Sequence, residues 1–134
     1  MTKEEQLRLI EDVQHARLAQ AQLSEASAGL PPERRQLLQD AVEAGKRAQA
    51  VLLEEHRALV HSLAMKSQQP GVPLSRLLQQ GTAGLLHAIE NFDPQKGFRF
   101  SNYARWWVRQ ALADQILNLL RRRFGEFTLV ISQY

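Results

Sequence analysis

Phe98-Arg-Phe-Ser-Asn-Tyr-Ala-Arg-Trp-Trp-Val-Arg-Gln110 is the stretch on which the reading of this chain turns. It places five of the nine aromatic residues within ten positions, interleaved with Arg99, Arg105 and Arg109. Ser101 is a good helix N-cap, and nothing from there to Arg123 breaks a helix, so the pattern predicts a helix over 101–123. At about 100° per residue, Ala104, Val108, Ala111, Leu112, Ile116 and Leu119 gather on one face, with Gln115 the one polar residue among them. Tyr103, Trp106, Trp107 and Gln110 gather on the opposite face. The helix therefore has an apolar face to bury without using its aromatics. Rings beside guanidiniums and an amide suit a platform for single-stranded nucleic acid. Rings stack on bases at about 1–3 kcal/mol each, and cations meet phosphates. The competing reading is a helix buried on both sides, with the Trp pair as core.

The charge distribution favours the first reading. The chain has 134 residues and a formal net charge of +3. Residues 1–95 hold ten Lys/Arg and twelve Asp/Glu, a net of −2, whereas residues 96–134 hold seven and two, a net of +5. Positive charge thus sits with the aromatics, which suits a phosphate-bearing partner. The length is that of one domain with a real core. The absence of cysteine excludes a disulfide framework, a thiol nucleophile and a Cys zinc site, and fits a reducing cytoplasm. No apolar run approaches the roughly 18–20 residues of a membrane span, so no membrane partner is expected. The first residues, Met-Thr-Lys-Glu-Glu5, do not read as a signal peptide.

Outside the aromatic stretch the pattern is helical throughout. Thr2 with Glu5 forms a potential capping box, and Leu7, Ile10, Val13 and Leu18 continue at helical spacing to about Ser24. Ser27-Ala-Gly-Leu-Pro-Pro32 reads as a break. A second helical region begins near Pro32–Glu33 and reaches about Ser67. Its stripe is Leu38, Ala41, Val42, Ala48, Leu52, Leu59 and Leu63, with a bend expected near Gly45. Gln69-Pro-Gly-Val-Pro73 is a loop, and Ser75 is placed as the cap of a third helix running to Asn91. Leu77, Leu78, Leu85 and Ile89 face inwards on that helix. Asp93-Pro-Gln-Lys-Gly97 is a turn by its chemistry.

Catalysis finds little support, so the chain is not read as an enzyme and no cofactor is expected. His15, His56, His61 and His87 have no metal-ligand spacing; His56 and His61 diverge by roughly 140° on a helix. There is no HExxH, phosphate-cradling glycine loop or nucleophile elbow. Glu54 and Glu55 are adjacent and read as a solvated pair.

At this point the residues resemble a known family, the bacterial RNA polymerase sigma factors of the primary-like class, in their second conserved region. Leu59-Val-His-Ser-Leu-Ala64, Leu77-Leu-Gln-Gln-Gly-Thr-Ala-Gly-Leu85, Ala88-Ile-Glu-Asn-Phe-Asp93 and Lys96-Gly-Phe-Arg-Phe-Ser-Asn-Tyr-Ala-Arg-Trp-Trp-Val-Arg-Gln110 look like its successive blocks. The resemblance is good over about 45–112 and loose over 1–44. It implies an all-α, sigma-region-two-like helical bundle at 45–123, after an N-terminal helical extension at 1–44 and before a divergent tail at 124–134. It also implies that the aromatic helix melts a TATAAT-like promoter element and reads the non-template strand, with two bases flipped out. By position, Phe100 and Tyr103 match the aromatics of the pocket for the flipped A. Trp106 and Trp107 match the wedge at the upstream edge of the bubble. Gln110 matches a glutamine near the upstream base pair, and Lys96, Arg99 and Arg109 match basic positions along the DNA. The helix from Ser75 to Leu86 matches the one that docks on the clamp helices of the polymerase's largest subunit, which places Arg76, Gln79, Gln80 and Leu86 at the docking surface.

The departures from the family are specific. Arg76 stands where the family has an acidic residue, and Gln80 where it has Glu; Gln79 matches. Ala113 and Asp114 replace Thr and Arg. The match ends after Arg123, where the family continues into two helix-turn-helix domains. Gly125 is placed as a helix cap, and Thr128–Ile131 has high β-propensity and is expected to pack back or pair with a partner. Two functions follow. One is a promoter-melting initiation factor acting with RNA polymerase core and single-stranded promoter DNA. The other is a sigma-like interaction protein that binds polymerase, an anti-sigma factor or another regulator without initiating transcription. On the DNA-reading hypothesis Tyr103 lies opposite the Val108/Leu112 face and its loss should hardly change folding, whereas on the competing reading of a helix buried on both sides its loss should cost about 3–5 kcal/mol.

Overall fold

The computed structural model describes residues 1–25 and 29–132, with residues 126–132 described by their backbone alone. Five α-helices account for the fold, and no strand occurs among the described residues. They are α1 (Lys3–Glu25), α2 (Pro32–Glu55), α3 (Arg57–Lys66), α4 (Leu74–Asn91) and α5 (Phe100–Ser132). A short 3₁₀ turn at Pro94–Lys96 joins the last two. None of these helices, over the described residues, is long and apolar enough to cross a membrane.

Helix α1 starts where its cap chemistry puts it. The Glu5 amide donates to Thr2 Oγ1 at 3.1 Å, and the Thr2 amide donates to Glu5 Oε2 at 3.2 Å, a reciprocal capping box. Ile10 and Val13 are buried as expected. Leu18, expected to continue that stripe, is 63% exposed, and Ala19 is buried in its place. Helices α1 and α2 approach closely one turn away, at Gly45 and Ala16. A Cβ on Gly45 would collide with the Ala16 side chain and sit 3.0 Å from the Asp12 carbonyl. Gly45 is therefore a packing glycine, and α2 is not interrupted there but continues as helix to Glu55. Residues 26–28, part of the expected break, lie outside the described residues. Helix α2 opens with Pro32 at its first position, where a missing N–H costs nothing.

The helical region ends its first segment at His56, not at Gly45. His56 is only 7% exposed. Its Nδ1 lies 2.8 Å from the Leu52 carbonyl, which requires the proton on Nδ1 and leaves Nε2 to accept from Gln6 at 3.5 Å. The imidazole also meets the edge of Phe100 at 5.2 Å. A polar ring thus satisfies itself inside the core at the α2–α3 junction, and α3 restarts from it, with the Val60 amide donating to the His56 carbonyl.

One core joins all five helices: Ile10 and Val13, Ala48 and Leu52, Val60 and Leu63, Leu77, Leu85 and Ile89, Phe92, Phe100, Val108 and Leu112. The inward set expected on α4 is found, with Leu77, Leu85 and Ile89 buried and Leu78 half-buried. Helix α4 begins at Leu74 with Pro73 before it and no side-chain cap, so Ser75 lies inside the helix rather than capping it. Its last turn is held by α1. Gln14 donates from Nε2 to the Ile89 and Phe92 carbonyls at 3.0 and 2.9 Å, supplying partners for carbonyls that a helix end leaves unpaired. Arg17 adds an ion pair to Glu90 at 3.0 Å.

Helices α4 and α5 pack antiparallel. Gly81 faces Val108 and Leu112, Gly84 faces Trp107, Val108 and Ala111, and Asn91 meets Tyr103. The apolar face read for α5 is the one that packs: Ala104, Val108 and Leu112 are at most 1% exposed. At its far end the helix passes through Gly125 without a cap, and the backbone of Thr128–Ile131 is helical, so neither the terminating glycine nor extended structure is found. The packing expected of the 128–131 side chains lies outside the described residues.

Candidate nucleic-acid interface

The site is built by the turn ahead of α5. The Asp93 carboxylate accepts the Gln95 amide at 2.9 Å, and Gly97 takes φ +80°, a left-handed conformation that glycine adopts without strain. The chain reverses here and leaves Lys96, Phe98 and Arg99 exposed. Helix α5 then begins at Phe100, one residue earlier than expected; the Arg99 carbonyl accepts the Tyr103 amide at 3.1 Å, so Ser101 is already helical and is not the cap.

That one-residue difference changes the role of Phe100. Placed as the first helical residue, Phe100 leads an i, i+4 row with Ala104, Val108 and Leu112, which is the buried face. Its ring is 3% exposed and meets His56 and Phe92 edge-on, each at 5.2 Å. In this conformation Phe100 offers no face to a base. Phe98 does: it is 60% exposed, and its ring lies nearly parallel to Tyr103 with centroids 6.5 Å apart. Phe98 has no role among the residues matched to the family. The row of four-residue spacings from Phe100 was the signal that could have separated the two.

From Phe98 the aromatic run continues along the surface. Tyr103 meets Trp107 in a T-shaped contact at 6.2 Å, and Trp107 meets Trp106 perpendicularly at 5.0 Å. The His87 ring of α4 lies 4.0 Å from Trp107. Tyr103 and Trp107 are half-buried against the core, with the Tyr103 hydroxyl donating to the Asn91 carbonyl at 3.4 Å. The expected separation of Tyr103 from the core is therefore corrected: one side of the ring packs against Phe92, at 5.5 Å, while its neighbour Phe98 is open. Trp106 is 54% exposed, and Gln110 is exposed beside it. The buried Nε1 of Trp107 has no hydrogen-bond partner among the described residues.

Lys96, Arg99, Arg105 and Arg109 border this run, all exposed and none in an ion pair with another described residue. Cations held free of carboxylates beside exposed rings can meet phosphates without first breaking a local pair. A cleft of about 540 Å³ opens between the start of α1 and this turn, bordered by Lys3, Gln6, Glu55, Phe98, Arg99 and Ser101. Sequence reading missed its α1 wall, because nothing local ties residues 3–6 to residues 98–101. On α4, Arg76, Gln79, Gln80 and Leu86 share the face turned away from the core; Arg76 and Gln79 are exposed, and Gln80 and Leu86 half-buried.

Comparison with known proteins gives the family of the chain. The sequence family described as sigma-70 region 2 matches residues 52–123. The RNA polymerase principal sigma factor HrdC of Streptomyces coelicolor is 37% identical over 115 residues, covering 84% of this chain and 34% of that protein. The RNA polymerase sigma factor SigA4 of Synechococcus elongatus is 40% identical over 121 residues, covering 90% of this chain and 37% of that one. The principal sigma factor HrdD of Streptomyces viridifaciens is 45% identical over 87 residues, 65% of this chain and 26% of its own. The matched segment is thus roughly a third, or less, of each relative's length. An all-helical core, the aromatic helix and a match spanning α3, α4 and most of α5 lead to one assignment: the chain belongs to the sigma-70 region 2 family.

Proposed function

We propose that this chain carries the part of a transcription initiation factor that docks on RNA polymerase core and reads the non-template strand of a TATAAT-like promoter element. The observation that carries the reading is the surface run Phe98–Tyr103–Trp107–Trp106, open at Phe98 and Trp106, flanked by four cations with no acidic partner among the described residues. Such a surface stacks unpaired bases and tracks their phosphates. Trp106, the more open of the two tryptophans, is the wedge against the last base pair, and Gln110 one turn later is within reach of that pair. Phe98 and Tyr103 take a flipped base, and the cleft beside Arg99 and Ser101 has room for another. Phe100 contributes by holding that turn from beneath. The setting is the cytoplasm, where polymerase and promoter meet.

Arg99→Ala tests the phosphate half of this proposal. Binding to fluorescent single strands should weaken for TATAAT-type and scrambled sequences alike, and the salt dependence should fall by roughly one counterion. Selective loss on TATAAT alone would show that Arg99 reads a base.

A second reading, a sigma-like protein that binds polymerase or a regulator without initiating, is favoured by one residue. Arg76 is exposed on the outer face of α4, at the position where the family resemblance implies an acid facing the clamp helices. Arg76→Asp should tighten association with a standard bacterial core polymerase about tenfold, the effect expected for replacing a like-charge contact by an opposite one. Unchanged or weaker capture of core would mean that Arg76 faces another partner.

A further inference from the structure

The aromatic run does not end on α5. His87 of α4 is exposed, and its ring centroid lies 4.0 Å from that of Trp107, the shortest ring–ring separation among the described residues. The His87 carbonyl accepts from Asn91 Nδ2 at 2.8 Å, but neither ring nitrogen bonds a described residue. The Trp107 Nε1 has no such partner either, so what joins the two rings is their contact, not a hydrogen bond. Arg76 and His87 are the only basic side chains on α4, and they stand eleven residues, about 16 Å, apart along its axis. Around that axis His87 points about 100° away from Leu86, to the flank beside α5.

Few charged or titratable groups face this imidazole. On α4 itself Glu90 follows one turn later, and its carboxylate is paired with Arg17 of α1 at 3.0 Å. On α5 the phenol of Tyr103 is turned to the Asn91 carbonyl, and Asp114 lies seven residues, about 10 Å, beyond Trp107. Helices α2 and α3 bring Glu54, Arg57 and His61 to α4 at Leu78, Thr82 and Leu85, on the opposite side of the helix from His87. No ion pair with a described residue engages the His87 ring.

We infer that His87 is a further nucleic-acid contact, which meets a backbone phosphate in its protonated form and so couples DNA binding to proton uptake. The inference rests on the reading of the ring run as the DNA surface. Lys96, Arg99, Arg105 and Arg109 supply cations from the turn and from α5. On the α4 border of the run, His87 is the one group that can do so. As an imidazolium it donates a charge-assisted hydrogen bond to a phosphate oxygen while its charge lies against the Trp107 indole. The neutral ring brings no charge to either. A strand that prefers the imidazolium raises the proton affinity of His87 when it binds. By reciprocity, lowering the pH tightens the strand, with at most one proton moving from solvent to the ring nitrogen per complex.

Fluorescence anisotropy of the full chain with a TATAAT-type single strand, at fixed ionic strength between about pH 5.5 and about pH 8, tests the coupling. Affinity should fall about fivefold or more as the pH rises. His87→Gln should hold the weak, high-pH affinity throughout. His87→Lys should hold the strong, low-pH affinity throughout, because lysine stays charged over the range. His15→Gln and His61→Gln, both at exposed positions remote from the run, should keep the original profile. A readout without DNA checks the ring contact. An imidazolium against an indole quenches its emission, so tryptophan fluorescence of the free chain should drop on acidification and cease to do so in His87→Gln. The His87 side chain is exposed, so helical circular dichroism should be the same in both His87 variants. A flat profile, a pH dependence that survives His87→Gln, or a His87→Lys as weak as His87→Gln would overturn the inference alone. Emission indifferent to pH would overturn it by removing the contact. Absence of strand binding at every pH would overturn it together with the DNA reading on which it rests.

Discussion

Phe100→Ala is expected to remove about 3–5 kcal/mol of folding stability, as large aromatic truncations in cores do. Its neighbour two residues earlier should behave in the opposite way. Phe98→Ala should leave the thermal midpoint unchanged and weaken binding to TATAAT-type single strands by about 1–3 kcal/mol, one base–aromatic stack. The contrast follows from burial: Phe100 is 3% exposed between His56 and Phe92, whereas Phe98 is 60% exposed over Tyr103. For Phe100→Ala the midpoint should fall by about 10 °C or more. Any loss of DNA affinity should then vanish when binding is measured well below that midpoint. Thermal melts and fluorescence anisotropy on the same two samples decide the matter. If Phe100→Ala melts normally and loses DNA binding, the ring serves DNA directly and its placement in the core is not the functional one.

Gly84 is the position where the smallest chemical change should have the largest structural effect. A Cβ there would sit 2.7 Å from the Trp107 carbonyl oxygen, 2.9 Å from the Ala111 Cβ and 3.1 Å from the Val108 Cα. Two of those atoms are backbone and cannot rotate away, so α4 and α5 would have to separate. Gly84→Ala should therefore cost about 1–3 kcal/mol despite the better helix propensity of alanine, and Gly84→Val more. A domain with about 5–15 kcal/mol in hand would be left near its threshold by the valine. Gly125→Ala is the matched control. No described residue lies within 4 Å of a Cβ at that position, and the helix runs through it, so the same substitution should stabilise by about 0.8–1 kcal/mol. Urea midpoints should move in opposite directions for the two alanines. A shift of the same sign in both would remove the close α4–α5 approach as the reason for Gly84. Because Trp107 sits on that contact, Gly84 variants should also disturb its fluorescence, and with it the ring run proposed to meet DNA.

Tyr103 lies between these extremes. Sequence periodicity put it opposite Val108 and Leu112, and it is indeed off that face. Yet the ring fills the gap over Phe92 and its hydroxyl reaches the Asn91 carbonyl, because α4 ends beside it. Tyr103→Ala consequently mixes stability with binding, and Phe98 and Trp106 are the cleaner probes of the surface.

The sequence by itself determined much of what closes within one helix or one turn. The Thr2–Glu5 box, the Asp93–Gly97 reversal, the end of α4 at Asn91 and the Ala104–Val108–Leu112 face each depend on residues of a single helix or turn, and each was legible, whereas the caps expected at Ser75, Ser101 and Gly125 were not formed. So was the coupling of rings with positive charge. Tertiary structure alone decided the rest. Gly45 lies inside a continuous helix and admits the close approach of α1, and the interruption falls at His56, whose ring finds Leu52, Gln6 and Phe100 within the core. The exchange of roles between Phe98 and Phe100 turned on a helix start set one residue earlier, with Phe100 drawn under His56 and Phe92. The cleft beside Arg99 needs α1, nearly a hundred residues away, for its second wall. The physical reason is the same in each case. Local hydrogen bonds and periodicity fix which face of an element is apolar, but close packing between distant elements fixes which residue at the edge of that face is taken in and which is left for a partner.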